Sequence, residues 1–263
     1  MPKIELLHLS DSLFPVGSFA YSDGLETAAN WVRLKPDTTE ARGRPFDARP
    51  EPVEGRALRA GTSRQPLRDT VDIDLLRDWI DVVVDENIGR LEGPAVWRAW
   101  LAFVDRDWNA LIALDEEVTA LRPAASARRS SRAMGLRLLT TWQALHPDPS
   151  LEHALLLATR GALGPSLPIA FAGATASSAP AIDRRDAVEA FAYTRLAATI
   201  SAAMRLMPIG QTDAHALLAH TLARAPAVVD AIAARDAAPE SFTPAMDIAA
   251  MSQQYLHSRL FRS

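Results

Sequence analysis

The chain has 263 residues, 48% of them hydrophobic, and a formal net charge of -4. This apolar content is enough for a buried core and excludes a disordered chain. The acidic balance argues against a nucleic-acid binder, which clusters cations against phosphates. The absence of cysteine excludes disulfides and thiolate metal sites. Because the start of the chain shows no signal-peptide pattern, we expect a cytoplasmic protein.

The N-terminal region predicts two helices. Apolar residues at helical spacing between Leu6 and Leu13 form the first helix, which Pro15 ends. The second helix is predicted to start at Ser22 or Asp23. Glu26 follows Asp23 at the spacing of a helix-start box, with both acids near the positive end of the helix dipole.

Residues 35–68 interrupt the helical pattern. They contain five prolines among Arg, Glu, Asp, Thr and Gly, and almost no aliphatic residues. Such a composition buries too little apolar surface to offset the entropy of ordering. We therefore predict a disordered insertion at a surface turn.

Four amphipathic helices are predicted between residues 76 and 145, because apolar residues recur at positions i, i+3, i+4 and i+7. Their expected buried positions are Leu76, Trp79, Ile80 and Val83 in the first; Trp97, Trp100, Leu101 and Val104 in the second, which starts at Gly93 and Pro94; Leu111, Leu114, Val118 and Leu121 in the third; and Met134, Leu138, Trp142 and Leu145 in the fourth.

The stretch between Arg160 and Asp183 contains no charged residue. Three prolines interrupt it, and much of the rest is Gly, Ala, Ser and Thr, which favour a membrane span poorly. We predict instead a central helix that starts near Ser166 or Pro168 and is buried on all sides.

The C-terminal third predicts four more helices. Asp183 opens the longest, which Pro208 ends, and Thr212, Pro226 and Pro244 mark the starts of the others. Sustained strand alternation is missing throughout the sequence. The predicted fold is therefore all-α: a single-domain helical bundle spanning residues 1–263 around a buried helix of small residues.

The residue pattern favours no catalytic, cofactor-binding or metal site. His215 and His220 are five residues apart, so they do not share one helix face. The sequence has neither the GxxxxGK[ST] phosphate loop nor the GxSxG nucleophile elbow. The neighbouring acids Glu116 and Glu117, beside Asp115, are interpreted as a solvated helix face.

Arginine supplies almost all cations, and a cluster falls on the predicted fourth amphipathic helix, comprising Arg128, Arg129, Arg132 and Arg137. Guanidinium groups suit protein interfaces because they hold carboxylates bidentately. A coding bias that replaces lysine by arginine throughout the chain explains the same pattern without any interface.

Three motifs in this order resemble the urease accessory protein F family, UreF. They are LLHLSDSLFPVGSFAYSDGLE at 6–26, RLMPIGQTDAHALL at 205–218, and the C-terminal stretch 247–263, which ends in SRLFRS. The resemblance implies an all-helical homodimer without enzymatic chemistry. It also implies a complex with UreD, called UreH in some species, and the GTPase UreG on apo-urease during GTP-dependent nickel delivery.

Two groups of residues are expected to contact these partners. The docking tail, 256–263, places apolar residues at a chain end where most proteins are polar. The turn after the longest helix is the second candidate. The expected partner-binding residues are Tyr255, Arg259, Leu260, Phe261 and Arg262 at the tail, and Arg205, Pro208, Gly210 and Gln211 at the turn. The chain departs from the family at Ser126, Arg129, Ser252 and Gln253, so contacts of the family's usual residues there are not transferred.

Two other functions remain open at this point. A helical hydrolase or lyase could assemble a site from dispersed Asp, Glu and His residues, because such sites need not be contiguous. A helix-turn-helix regulator is disfavoured by the acidic balance.

Overall fold

A computed structural model describes residues 2–11, 24–34, 65–178, 182–256 and 260. The predicted end of the first helix at Pro15 and the start of the second at Ser22 or Asp23 lie outside these residues. The predicted insertion also lies outside them, except that residues 65–68 belong to a helix that starts at Gln65. The structure assigns no strand to the described residues, and the predicted all-α fold is confirmed.

Twelve α-helices, one π-helix and one short 3₁₀-helix follow one another along the described chain. In order they are α1 (Pro2–Ser10), α2 (Leu25–Leu34), α3 (Gln65–Val82), the π-helix (Val83–Glu92), α4 (Gly93–Asp105), α5 (Trp108–Ala120), α6 (Ala125–Leu145), α7 (Pro149–Thr159), α8 (Leu167–Ala176), α9 (Arg184–Leu206), α10 (Gln211–Leu222), α11 (Ala225–Arg235), α12 (Pro244–Ser252) and the 3₁₀-helix (Gln253–Tyr255).

Most predicted helix starts are confirmed. The Asp183 carboxylate caps α9 by accepting a hydrogen bond from the Arg185 amide at 2.8 Å, and Pro226 and Pro244 lie in the first turns of α11 and α12. The prediction that Thr212 caps α10 is wrong. Gly210 occupies the cap position instead. The backbone is extended at Met207, after α9, and at Gly210, and α10 already begins at Gln211.

The segment from α3 to α4 is continuous and helical. Backbone φ and ψ stay in the right-handed helical region at Val82 and Gly93, on either side of the π-helix. The Gly93 amide donates to the Ile88 carbonyl, five residues back, as a π-helix requires. A Cβ at Gly93 would lie 2.4 Å from that carbonyl oxygen, so glycine is required there. The predicted start at Gly93 is confirmed, although no loop precedes it.

Helix α8 is the predicted central helix. Its residues from Leu167 to Thr175 are all buried, and it lies against both α4 and α6. Close packing depends on glycine: Gly173 meets the Phe103 ring of α4, and Gly135 of α6 packs directly on the backbone of Pro165 and Ser166. The small side chains therefore bring three helices together.

Three predicted core positions are wrong. Leu101 and Val104 of α4 are exposed, as is Leu145 at the end of α6. Helix α4 instead turns its alanines and Phe103 towards the core, where the Phe103 ring lies against Gly173 of α8. Helix α7 was not predicted at all.

Two hydrophobic clusters form the core, and α9 contributes to both. The first half of α9, through Phe191, packs in a cluster with α4 to α8. The second half, from Ala192 to Leu206, packs with α2, α3, the π-helix, α10 and α12. This long helix therefore connects the central helix α8 to the N- and C-terminal helices.

Among the described residues, one stretch, 211–235, is long and apolar enough to cross a membrane by length and composition, and 22% of an apolar 18-residue segment within it is buried. In the structure a turn at Ala223 and Arg224 divides it into α10 and α11. The Arg224 guanidinium donates to Asp81 and Asp85 on α3 and the π-helix. The stretch thus packs as two helices of the fold.

Candidate partner-binding surface

The C-terminal region exposes an unusual amount of apolar surface. Helix α12 buries Met246, Ala249 and Ala250 against the second cluster and turns its other face to solvent. Together with its flanking residues this face forms what we name the C-terminal apolar surface: Phe242, Ile248, Met251, Tyr255 and Leu260, which are 80%, 52%, 41%, 78% and 70% exposed. Large apolar side chains left in water in one region mark an interaction site more often than a free surface.

The N-terminal helix α2 holds this region in place. Glu26, in the first turn of α2, is 2% exposed. Its Oε2 accepts a hydrogen bond from the Gln253 side-chain amide at 3.0 Å, and its Oε1 accepts one from the Leu260 backbone N–H at 2.7 Å. Sequence reasoning assigned Glu26 to helix capping and did not foresee this contact, which joins the two ends of the chain.

Gly24 makes a second contact between the same regions. Its φ is +91°, in the left-handed region that favours glycine. A Cβ there would lie 2.7 Å from the Ala250 nitrogen and 3.2 Å from the Ala249 Cβ. The start of α2 therefore lies directly on the backbone of α12, and the pair of small residues in α12 makes room for it.

The structure describes two of the five predicted tail residues. Tyr255 and Leu260 are exposed, as a docking role requires. Arg259, Phe261 and Arg262 lie outside the described residues. The role of the tail in binding therefore remains a prediction.

The four predicted turn residues lie together between α9 and α10. Arg205 is exposed in the last turn of α9, and Pro208, Gly210 and Gln211 are exposed after it. The neighbouring Leu206 and Met207 are buried in the second cluster, which also contains Met246 and Ala249 of α12. The turn and the C-terminal apolar surface are thus attached to the same part of the core.

A buried ionic network lies below these surfaces. Glu92, 2% exposed, accepts a hydrogen bond from Arg195 Nε at 2.8 Å on one carboxylate oxygen and from Arg122 on the other. Burial raises the pKa of Asp247, in the first turn of α12, although the Thr243 hydroxyl and the charge of Arg122 counteract the shift. The network joins the π-helix, α9 and the chain after α5.

Asp115 corrects the interpretation of the acidic face on α5. Glu116 and Glu117 are exposed as predicted, but Asp115 is 1% exposed and its carboxylate accepts the backbone N–H groups of Gly164 and Ser166 at 3.1 and 2.9 Å. Burial raises the pKa of Asp115, against the opposing effect of these hydrogen bonds. Asp115 therefore anchors the chain that leads into α8.

Part of the arginine cluster has a structural role. Arg128 donates to the carbonyls of Arg122 and Pro123, at the end of α5, and the guanidinium of Arg132 lies against Gly164. Arg129 and Arg137 are exposed. At least half of the predicted cluster is thus explained by contacts within the fold.

Three of the six histidines pack against tryptophan rings. His8 and His146 both lie beside Trp142, and His153 lies beside Trp108 with ring centroids 4.5 Å apart. Among the described residues, no group of three or more His, Asp or Glu side chains is arranged to hold a metal ion.

An open cleft of about 780 Å³ lies between α1, α9 and α10. Its lining is mostly apolar, with Leu6 and Tyr193 among the contributing residues, and it includes the carboxylates of Asp186 and Glu189 as well as His215.

Comparison with known proteins decides the family. Residues 71–222, more than half of the chain, match the model of the UreF family. The chain belongs to the UreF family. The matched range begins after the predicted insertion and contains the ionic network, the central helix and the turn that follows α9.

Relatives of similar length extend the likeness to the ends of this UreF chain. It is similar to urease accessory protein UreF of Azoarcus sp. strain BH72, with 29% identity over 267 aligned positions covering 100% of this chain and 96% of the relative. The Rhodopseudomonas palustris protein is 30% identical, covering 95% and 86%, and that of Nitrosococcus oceani is 28% identical, covering 98% and 97%. This UreF chain is therefore a member of a family of urease accessory proteins.

Proposed function

We propose that this UreF protein is a non-enzymatic scaffold that joins UreD, or UreH, and the GTPase UreG on apo-urease and so supports GTP-dependent nickel insertion. The observation that carries the proposal is the C-terminal apolar surface, which a second part of the chain holds in place through Glu26 and Gly24. Membership of a family of urease accessory proteins supports the choice of urease maturation factors as its partners.

UreD is the partner that we assign to the C-terminal apolar surface. Full burial of a leucine side chain contributes about 1.5 to 3 kcal/mol. Because Leu260 is 70% exposed, covering it would contribute about 1 to 2 kcal/mol to binding. Leu260→Ala should therefore weaken binding to UreD from the same source by about five- to thirtyfold.

A titration by biolayer interferometry tests this assignment. Truncation after Gln254 should abolish binding, and Leu260→Ala should weaken it. Leu136→Ala is the matched control, because Leu136 is a leucine with 45% exposure on α6 and is not part of the C-terminal apolar surface. Unchanged binding by both the truncated chain and Leu260→Ala would refute the UreD assignment.

UreG is assigned to the turn at residues 205–211. An exposed guanidinium at Arg205 and an exposed amide at Gln211 offer polar contacts beside a rigid, buried support at Leu206 and Met207. Assembly with UreD and UreG, measured by size-exclusion chromatography with light scattering, should fail for the Arg205→Ala, Gln211→Ala double variant. Arg137→Ala on α6 should assemble as the wild type does.

We also propose that the chain acts as one cytoplasmic domain and as a homodimer. The participation of α9 in both hydrophobic clusters supports the single domain, and the family resemblance supports the dimer. A single cooperative unfolding transition and a dimer mass by light scattering at micromolar concentration are expected. A monomer mass would overturn the dimer and leave the partner assignments to their own tests.

A further inference from the structure

We propose that Glu26 is a positioning residue for the C-terminal docking segment, by which we mean Gln253, Tyr255 and Leu260. Its buried carboxylate fixes Gln253 and the backbone of Leu260, so that the side chains of Tyr255 and Leu260 face a partner from a defined place. The inference rests on the proposed function for the identity of that partner, UreD, and on the contacts of this chain for the positioning itself.

The Glu26 carboxylate accepts hydrogen bonds from the C-terminal region. Glu26 lies in the first turn of α2, where an acid usually stays in water and stabilises the helix dipole. Here it is 2% exposed, and each of its oxygens accepts a hydrogen bond from the segment after α12. A buried carboxylate needs such donors, so the ordering of the segment and the burial of the charge depend on each other.

The hydrogen bonds leave the side chains available. Glu26 contacts Leu260 through the backbone N–H, while the Leu260 side chain remains 70% exposed. Gln253 is buried at 1% exposure, and Tyr255, two residues later, is 78% exposed. The backbone is thus held from within the protein and the apolar side chains point outwards.

The neighbouring Gly24 contact makes this position rigid. Helix α2 begins directly on the backbone at Ala249 and Ala250, so this contact sets the place of Glu26, two residues after Gly24, relative to α12. The docking segment is therefore placed relative to a helix near the other end of the chain. A segment ordered before binding loses less entropy on association than a free tail does.

The first test measures amide hydrogen exchange on the isolated full-length protein. A hydrogen bond to a charged group typically slows exchange of the donating amide by roughly 10- to 100-fold relative to the unbonded amide. Glu26→Ala should accelerate exchange at Leu260 by this factor, whereas Glu26→Gln, which keeps an acceptor oxygen, should recover part of the protection.

Asp115→Ala is the matched control for global stability, because it leaves two buried backbone N–H groups without an acceptor. Asp115 is also a buried carboxylate that accepts backbone N–H groups, but it anchors α8. The control variant should lower the denaturation midpoint without accelerating amide exchange at Leu260. If Glu26→Ala fails to fold, Gln253→Leu removes the other hydrogen bond to the carboxylate and should accelerate exchange at Leu260 by a smaller factor, because the Leu260 N–H keeps its acceptor. Equal exchange at Leu260 in the wild type and in whichever of these variants folds would overturn the positioning role.

The second test measures the affinity of the same variants for UreD. Glu26→Ala should weaken binding by about tenfold, and Glu26→Gln by less. If Leu260→Ala weakens binding and Glu26→Ala does not, the positioning inference fails and the scaffold proposal stands. If neither weakens binding, the assignment of UreD to this surface fails, whatever the exchange experiment shows.

Discussion

The buried network around Glu92 allows a quantitative prediction for Arg195→Met. The substitution keeps an apolar stem of similar length and removes the guanidinium. Glu92 and Arg195 are 2% and 7% exposed, with Arg195 Nε 2.8 Å from the carboxylate. Breaking a buried ion pair from one side costs about 3 to 5 kcal/mol, because it leaves an uncompensated charge.

Because Glu92 keeps a second partner, Arg122, we expect a loss of unfolding free energy at the lower end of this range. Arg122 still bonds the other oxygen of Glu92, with 14% of its own side chain exposed. We therefore expect Arg195→Met to lower the free energy of unfolding by about 3 kcal/mol. With a urea m-value of about 3 kcal/mol/M for a chain of this size, the midpoint falls by about 1 M.

A surface ion pair provides the control. Arg77 and Asp74 form a pair whose side chains are 60% and 63% exposed, so Arg77→Met should cost at most about 0.5 kcal/mol. The double variant Glu92→Gln, Arg195→Met should lose less than the sum of the single losses, because the charges are removed together. If Arg195→Met destabilises no more than Arg77→Met, the network does not stabilise the fold as described.

The remaining predictions concern the anchors of the central helix. Burial raises the pKa of Asp115, so ionisation of this carboxyl opposes folding. The free energy of unfolding of the wild type, taken relative to that of Asp115→Asn, should fall as the pH rises from about 3.8 through the raised pKa. Above that pKa the difference should stay at its lower value. Urea titrations at several pH values check this, and a relative rise would contradict it. Gly135→Ala places a Cβ 2.1 Å from the Pro165 carbonyl oxygen, so despite the helix preference of alanine it should lose about 1 to 3 kcal/mol. Gly161→Ala has open space but a φ of +72°, and should lose about 1 kcal/mol; equal midpoints for the two variants would exclude the steric explanation.

Sequence reasoning succeeded where local chemistry decides the structure. The charge-free stretch before Asp183 predicted a fully buried helix, and Pro208, Pro226 and Pro244 located helix boundaries, because proline constrains the backbone in any context. The position of the turn between α9 and α10 followed from the same rule. These features need no knowledge of distant contacts.

It failed where a distant contact changes the role of a residue. An acid in a first helical turn, such as Glu26, is usually solvated, and its donors come from residues 253 and 260. Asp115 was grouped with its exposed neighbours for the same reason. Leu101 was expected in the core because larger side chains dominate a periodic pattern, whereas α4 turns Ala99, Ala102 and Phe103 towards the core. Gly24 beside Glu26, together with the alanine pair of α12, was the available signal for the contact between the chain ends.

The π-helix sets the rotational phase between α3 and α4. Loss of a single residue within Val83–Glu92 would let an ordinary α-helical turn form and rotate everything after it by about 100° about the axis. Glu92 would then turn away from Arg195, and the alanines of α4 would leave α8. Changes of length before Gln65 leave this phase untouched. The chain can therefore gain or lose residues at 35–64 far more freely than across the ten residues of the π-helix.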